Sequence, residues 1–196
     1  MKHFGRKLYH LIGGMLLLSC YFLLGRDRAL ILYAVLFFAV IAAELARFAV
    51  PSLNETLFGK FSSFVRPTER NRLTGTAPYV LGIWSTLYFY RSDIAAAAIC
   101  FLAVGDVAAT TVGERWGRTK IGEKSLEGTL AFLVTAVAAG FLLSAAGSPL
   151  MPWLILAGAI TAAGVELLPL PVNDNLSIPL ISGGIMELIA RLTGCV

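Results

Sequence analysis

The chain has 196 residues, 57% of them hydrophobic and 14% charged, with a formal net charge of +4 and a mean hydropathy of +0.77. Soluble domains carry about 25% charged and 45–50% apolar residues, so the composition excludes a water-soluble globular domain, and it equally excludes disorder. The positive charge is no argument for nucleic acid in so apolar a chain; it fits the surplus of Lys and Arg in the cytoplasmic loops of membrane proteins.

A bilayer span takes about 20 residues, and the apolar runs predict seven, at about 8–24, 29–50, 77–91, 93–112, 129–147, 150–168 and 176–194. Each should be an α-helix, because the bilayer offers no partner to an unpaired backbone group. The expectation is an all-α polytopic protein, one membrane domain over 1–196. It leaves no room for a separate soluble catalytic domain, so any chemistry sits on the helices and the loops between them.

The first run follows Lys2, Arg6 and Lys7 and resembles a signal sequence. No A-x-A-like site follows it and Gly25–Arg28 is charged, so it reads as an uncleaved first span. After the second run, Ser52-Leu53-Asn54-Glu55 reads as a capping box. Leu53, Leu57, Phe61 and Phe64 then recur at helical spacing, with Asn54, Lys60 and Ser62 off that stripe. This predicts a short amphipathic helix on the inner leaflet, either an anchor or a lip where a lipid enters. Cys20, Cys100 and Cys195 are far apart and match no metal or disulfide spacing, so they read as packing residues.

Seven spans put the termini on opposite sides. Twelve Lys and Arg then fall on the side of the N-terminus and of the loops after spans two and four. Only Arg26, Arg28, Arg91 and Arg191 fall on the other. The positive-inside rule makes the N-terminus cytoplasmic and the C-terminus external. His10, Glu44, Arg47, Asp106, Glu166 and Asn173–Asn175 lie in the same cytoplasmic half. Ionisable groups at membrane depth are costly and usually mark a site. Gathered at one face from several helices, they point to one site open to the cytosol. A transport route would instead distribute polar groups through the bilayer, and spans one, three and five offer almost none.

The most informative stretch is Gly105 to Gly128, GDVAATTVGERWGRTKIGEKSLEG. Glycines at 113, 117, 122 and 128 would let backbone N–H groups approach phosphate oxygens, and Lys120 and Lys124 would offset the charge. Asp106 and Glu127 suit Mg2+, which takes one or two carboxylates plus substrate phosphates. Ser125 could donate to a phosphate or touch the metal. Neither the P-loop nor the dinucleotide fingerprint is present. A flexible basic loop would account for the glycines and lysines, but not for an aspartate ahead of the end of an apolar helix.

The second cluster runs from Glu166 to Leu180, ELLPLPVNDNLSIPL. Asn173, Asp174 and Asn175 suit an ordinary turn. They equally suit a metal ligand or general base at Asp174 with amides to orient it. Pro179, with Gly183 and Gly184, suggests a kinked helix and close backbone approach. The third cluster is Arg6-Lys7-Leu8-Tyr9-His10, whose cations could bind phosphate or merely flank the membrane. Glu44 and Arg47 are spaced to pair on one helix, as are Glu187 and Arg191.

In this order, RKLYH (6–10), Glu44 to Arg47, ERNRLTG (69–75), the long motif 105–128, and Glu166 followed by NDNLSIPL (173–180) resemble the CTP-dependent lipid kinases. That family includes dolichol (polyprenol), phytol and yeast-type diacylglycerol kinases, with a more distant similarity to phosphatidate cytidylyltransferase. The resemblance spans nearly the whole chain. The family usually has two aspartates before the final Asn of the last motif, and here the first position is Asn173, leaving Asp174 as the essential carboxylate.

The resemblance implies phosphoryl transfer from CTP to the hydroxyl of a membrane lipid alcohol, with Mg2+, at the cytoplasmic face. Carried over by position, it implies nucleotide or metal roles for Asp106, Lys124, Ser125 and Glu127. From the residues themselves, Asp106, Lys124 and Asp174 are the catalytic candidates, Asp106, Glu127 and Asp174 the metal ligands, and Gly113, Gly117, Lys120, Lys124, Ser125, Gly128, Arg70, Arg72 and His10 the nucleotide contacts. Glu44, Glu166, Asn173, Asn175, Arg6 and Lys7 stand as further candidates. Two other readings remain at this stage: a cytidylyltransferase making a CDP-lipid, and a non-enzymatic transporter or scaffold. The short chain suits a bacterial or archaeal plasma membrane.

Overall fold

The computed structural model describes residues 4–61, 65 and 67–194. Lys2, Ser62, Phe64, Arg66 and Cys195, which entered the sequence reading, lie outside them. Eight α-helices follow in order among the described residues: α1 (Phe4–Leu24), α2 (Arg26–Ala49), α3 (Pro51–Lys60), α4 (Thr76–Phe89), α5 (Ser92–Trp116), α6 (Leu126–Ala145), α7 (Pro152–Leu167) and α8 (Asp174–Leu192). A two-stranded antiparallel ribbon, β1 (Lys120–Ile121) and β2 (Lys124–Ser125), joins α5 to α6.

The all-α expectation holds. Among the described residues, four helices are long and apolar enough to cross a bilayer: Gly5–Leu24, Arg26–Ala49, Ser92–Trp116 and Leu126–Ala145. α7 is apolar but shorter. α4 has 14 residues and so reaches only about 21 Å, against a hydrocarbon core of about 30 Å.

α5 is the hub, packed against α1, α4, α6, α7 and α8. Every residue from Asp93 to Ala103 is buried. The run of alanines explains this, since small side chains let neighbouring helices approach closely. Gly105 continues the pattern: a Cβ there would lie 2.6 Å from the buried ring of Phe132 on α6. α1 and α2 lie at the periphery and expose Ile12, Leu16, Phe22, Ile31, Val35 and Phe38. In water so large an apolar surface would drive association; in a bilayer it is the surface that lipid solvates.

The connections differ from the sequence reading in three places. The break at Gly25–Arg28 contracts to Gly25 alone, whose φ of 78° turns the chain directly into α2. The capping box at Ser52 does not form. Pro51 occupies the first turn, Val50 is the N-cap, and no side chain caps the helix. A proline at the first helical position, with φ already set and no N–H to satisfy, starts the helix earlier than a Ser52 cap would. α5 runs on to Trp116, well past the expected end at 112, because Lys7 of α1 donates to Glu114 (3.0 Å) and Thr111 (3.5 Å) and pins this polar end to the bundle. Asp106 therefore sits in mid-helix, and Gly113 is helical rather than part of a loop.

Candidate functional site

Two polar cavities adjoin at one end of the bundle. One, of about 210 Å3, is lined by His10 and Tyr9 of α1, by Glu69, Thr74 and Gly75 ahead of α4, and by the 168–175 segment. The other, of about 260 Å3, lies against Ala109, Thr110, Gly113, Lys120, Glu123, Ser125, Gly128 and Glu166. Four residues line both: Arg6, Asp106, Lys124 and Asp174. Two cations and two carboxylates thus form a waist between the cavities, drawn from α1, α5, β2 and the first turn of α8.

Lys124 ties the waist together. Its Nζ is 2.8 Å from Asp174 Oδ2 and 3.7 Å from Glu166 Oε1, and it also donates to the Glu166 backbone carbonyl. Glu166 is buried, with its Oε2 accepting from Thr129 Oγ1 at 2.9 Å. Among the described residues, no hydrogen bond or ion pair reaches the Asp106 carboxylate, although it faces both cavities.

The α8 N-terminus is set by its neighbours. Asn173 caps it, its side chain accepting from Asn175 N at 3.0 Å. Asn175 Nδ2 donates to Gly75 O at 3.0 Å. Pro179, buried inside α8, has no N–H for the carbonyl of Asn175. Gly82 of α4 lies so close to that carbonyl that a Cβ on it would be 2.2 Å away. Asp174 is therefore positioned through α4 as well as by its own helix. Glu69 completes the frame, its Oε1 accepting from Gly75 N at 3.2 Å.

The ribbon is anchored in a similar way. Ser125 is the N-cap of α6, accepting from Gly128 N at 3.2 Å. Gly113, Gly117 and Gly128 all crowd this Oγ, with would-be Cβ distances of 3.1, 2.6 and 3.1 Å. These glycines let the end of α5 lie against the start of α6. Gly113, Gly128 and Ser125 also face the second cavity. Lys120 Nζ is 3.5 Å from Gly113 O. Glu127 lines neither cavity; its two oxygens accept from Thr119 N at 3.1 and 3.2 Å and so hold the ribbon.

The remaining candidates divide. His10 is buried beside Tyr79, whose hydroxyl donates to the His10 carbonyl, and it faces the first cavity. Arg70 and Arg72 do not line either cavity. Their side chains are exposed, and Arg70 pairs at 3.5 Å with exposed Glu55. Their backbone carbonyls are what the fold uses, each accepting from Arg47, at 3.0 and 2.5 Å. Lys7 holds Glu114 rather than facing the site. Glu44 and Arg47 pair at 2.5 Å, buried, and Glu187 and Arg191 pair at 3.1 Å.

Sequence reasoning passed over Glu69, Thr74 and Tyr9. Glu69 and Thr74 stand in the same ERNRLTG segment from which Arg70 and Arg72 were chosen. Their signal was the change from an exposed basic turn to the first turn of an apolar helix.

Mg2+ prefers hard oxygen ligands and takes few from the protein when phosphates supply the rest. The pair Asp106 and Asp174, at the junction of two cavities, fits that demand. Among the described residues no set of three or more His, Cys, Asp or Glu gathers as an all-protein metal cage.

The chain is 28% identical over 168 residues to the CTP-dependent diacylglycerol kinase 1 of Schizosaccharomyces pombe, covering 78% of this chain and 77% of that one. It is 30% identical over 199 residues to the chloroplastic farnesol kinase of Arabidopsis thaliana, covering 90% of this chain and 62% of that longer protein. It is 25% identical to an uncharacterised protein of Rickettsia prowazekii, covering 89% and 88%. No protein-family profile matches, and neither does any solved structure. The chain is thus similar over most of its length to two lipid-alcohol kinases, one of them named as CTP-dependent.

Proposed function

We propose that this protein transfers the γ-phosphoryl group of CTP to the hydroxyl of a membrane lipid alcohol. The observation that carries this is the waist: Arg6, Asp106, Lys124 and Asp174 stand between two polar cavities. In-line phosphoryl transfer needs a donor on one side, an acceptor on the other and charge compensation between them. The nucleotide phosphates enter the cavity beside the ribbon, where Lys120, Lys124 and the first turn of α6 supply positive charge and N–H groups. The acceptor hydroxyl comes from the cavity beside Thr74 and His10.

Asp106 and Asp174 would hold Mg2+, which would supply positive charge to offset the phosphates. Lys124 pairs with Asp174 before nucleotide arrives. Once the phosphates take over Lys124, the Asp174 oxygen that it held, Oδ2, is released to accept the hydroxyl proton. The acceptor oxygen then bonds to the γ-phosphorus, the bridging β–γ bond breaks and CDP leaves. Glu127 acts at one remove, holding the ribbon that carries both lysines. With the side rich in Lys and Arg taken as the inner one, the cavities open to the cytosol, where nucleotide is found.

The test is turnover by purified protein in lipid nanodiscs with Mg2+ and CTP or ATP, against isoprenoid alcohols, diacylglycerol and phosphatidate, with Asp106→Asn as control. CDP with a phosphorylated alcohol, lost in the variant, is the expected result. Pyrophosphate with a CDP-lipid, or no turnover from folded protein, overturns the proposal.

A further inference from the structure

A third cavity, of about 390 Å3, lies between α2, α3 and the start of α4. Its wall is chiefly apolar, made by Ala43 of α2 and by Leu57, Phe58 and Phe61 of and just beyond α3. Its charged side chains are already engaged. Glu44 accepts from Arg47 and from Thr74 Oγ1 (2.7 Å) and N (3.3 Å). Arg47 in turn donates to Asn54 Oδ1 (3.1 Å) and to the Arg70 and Arg72 carbonyls, with the Phe48 and Phe58 rings 4.3 and 5.4 Å from its guanidinium carbon. A cavity whose charged groups satisfy one another and whose wall is chiefly apolar presents mostly hydrocarbon to whatever enters it.

Two facts say what that occupant is. α2 is the most apolar of the candidate spans and among the least buried within the protein, so the groove borders a surface made for lipid chains. The groove also continues into the polar site: Tyr9, Val65, Thr74 and Thr76 line both it and the first polar cavity. A molecule lying across that threshold has an apolar chain on one side and a polar head on the other.

We propose that the groove between α2 and α3 holds the hydrocarbon chain of the lipid alcohol, entering laterally from the bilayer, with its hydroxyl carried past Thr74 to the waist. This rests on the kinase assignment above and adds the acceptor's route and its specificity-determining wall. Thr74 is fixed by the Glu44 carboxylate, so the Glu44–Arg47 pair positions the threshold without touching the reacting atoms.

The experiment has a binding arm and a kinetic arm. In the first, protein in nanodiscs is photolabelled with an isoprenoid alcohol and with a diacylglycerol, each bearing a terminal diazirine on its chain, and the adducts are mapped. Label within residues 43–61, suppressed by Leu57→Trp, is expected. Label confined to α6 and α7 overturns the proposal. In the second, Leu57→Trp and Ala43→Phe raise the KM for the long-chain alcohol at least tenfold while the KM for CTP and turnover of a short-chain alcohol stay at wild-type values, which also shows that the variants fold. An unchanged long-chain KM overturns the proposal. Labelling needs no phosphoryl transfer, so label in the groove without turnover refutes the kinase assignment alone, and turnover with label elsewhere refutes the groove alone.

Discussion

The closest approach between helix backbones at the site gives the sharpest prediction. Gly82→Ala would put a Cβ 2.2 Å from the carbonyl oxygen of Asn175 and 3.2 Å from both its carbonyl carbon and the Cα of Leu176. All three are backbone atoms, so no rotamer change relieves the clash. An ordinary carbon–oxygen contact is about 3.3 Å or more, so α4 and α8 must part by roughly 1 Å. Asn175 follows Asp174 directly, and the Asp174–Lys124 contact at 2.8 Å and the Asn175–Gly75 bond at 3.0 Å are both stretched by such a shift. Overpacking costs about 1–3 kcal/mol, offset by up to about 1 kcal/mol of helix propensity gained on replacing glycine. The stability loss is therefore modest. The activity loss is not, since a misplacement of about 1 Å costs on the order of 10²-fold in rate. The assay is kcat at saturating CTP beside thermal unfolding in nanodiscs. Gly164→Ala on α7 is the control, because nothing lies within 4 Å of its would-be Cβ. A folded Gly82→Ala variant with kcat within about threefold of wild type would refute the claim that α4 positions Asp174.

Asp106→Asn keeps the shape of the side chain and removes its charge. Turnover should fall about 10²–10³-fold with little change in unfolding temperature, as for loss of one electrostatic element of a reaction site; near-normal turnover would remove Asp106 from the chemistry. Arg47→Ala strands a buried Glu44 carboxylate and should cost about 3–5 kcal/mol, and the double variant Glu44→Leu/Arg47→Leu less than that, read by denaturant or thermal unfolding. A single variant no worse than the double contradicts the pairing. Arg70→Ala and Arg72→Ala should leave the KM for CTP within about twofold, because an exposed pair such as Arg70–Glu55 contributes about 0–1 kcal/mol and neither side chain lines a cavity; a tenfold rise would place one of them on the nucleotide.

Composition was enough to give an all-α membrane protein, because hydropathy is a property of single residues summed over a window. The motifs with chemistry were legible for the same local reason. Asp106 stood out as a carboxylate that a basic loop does not explain, Lys124 and Asp174 through the motifs in which they stand, and all three line the waist. What could not be read locally is which way a side chain faces in a short turn. Arg70 and Arg72 carry charge that suits a phosphate, yet the fold uses their carbonyls, because Arg47 of α2 reaches across to them. Glu127 resembled a third metal ligand, yet its carboxylate is taken by the Thr119 amide eight residues earlier. The glycines of 105–128 resembled a phosphate cradle. Three of them crowd one hydroxyl, Ser125 Oγ, to bring two helix ends together, and of these Gly113 and Gly128 also face the second cavity. Each of these depends on a partner from another segment, and a single sequence carries no sign of it.

The charge balance at the waist explains how such a site stays stable before its substrates arrive. Two carboxylates and two cations at the end of a helix bundle compensate one another, with Lys124 closing on Asp174. Leaving either sign alone would be costly at the margin of a low-dielectric bundle. On the proposed reading, a polyphosphate would change the partners without raising the net cost, because Lys124 would exchange one carboxylate for a phosphate oxygen and leave Asp106 and Asp174 to hold Mg2+. A neutral Lys124→Met variant breaks that exchange on both sides. It removes one cation from beside Asp174 and Glu166, and it withdraws a charge from the nucleotide. The coupling has a measurable signature: the rise in CTP Kd caused by Lys124→Met should shrink when Asp174→Asn is added, because the carboxylate that Lys124 offset is no longer there to repel the phosphates. Strictly additive effects of the two substitutions would mean that Lys124 and Asp174 meet the nucleotide independently, and that the pair is only structural.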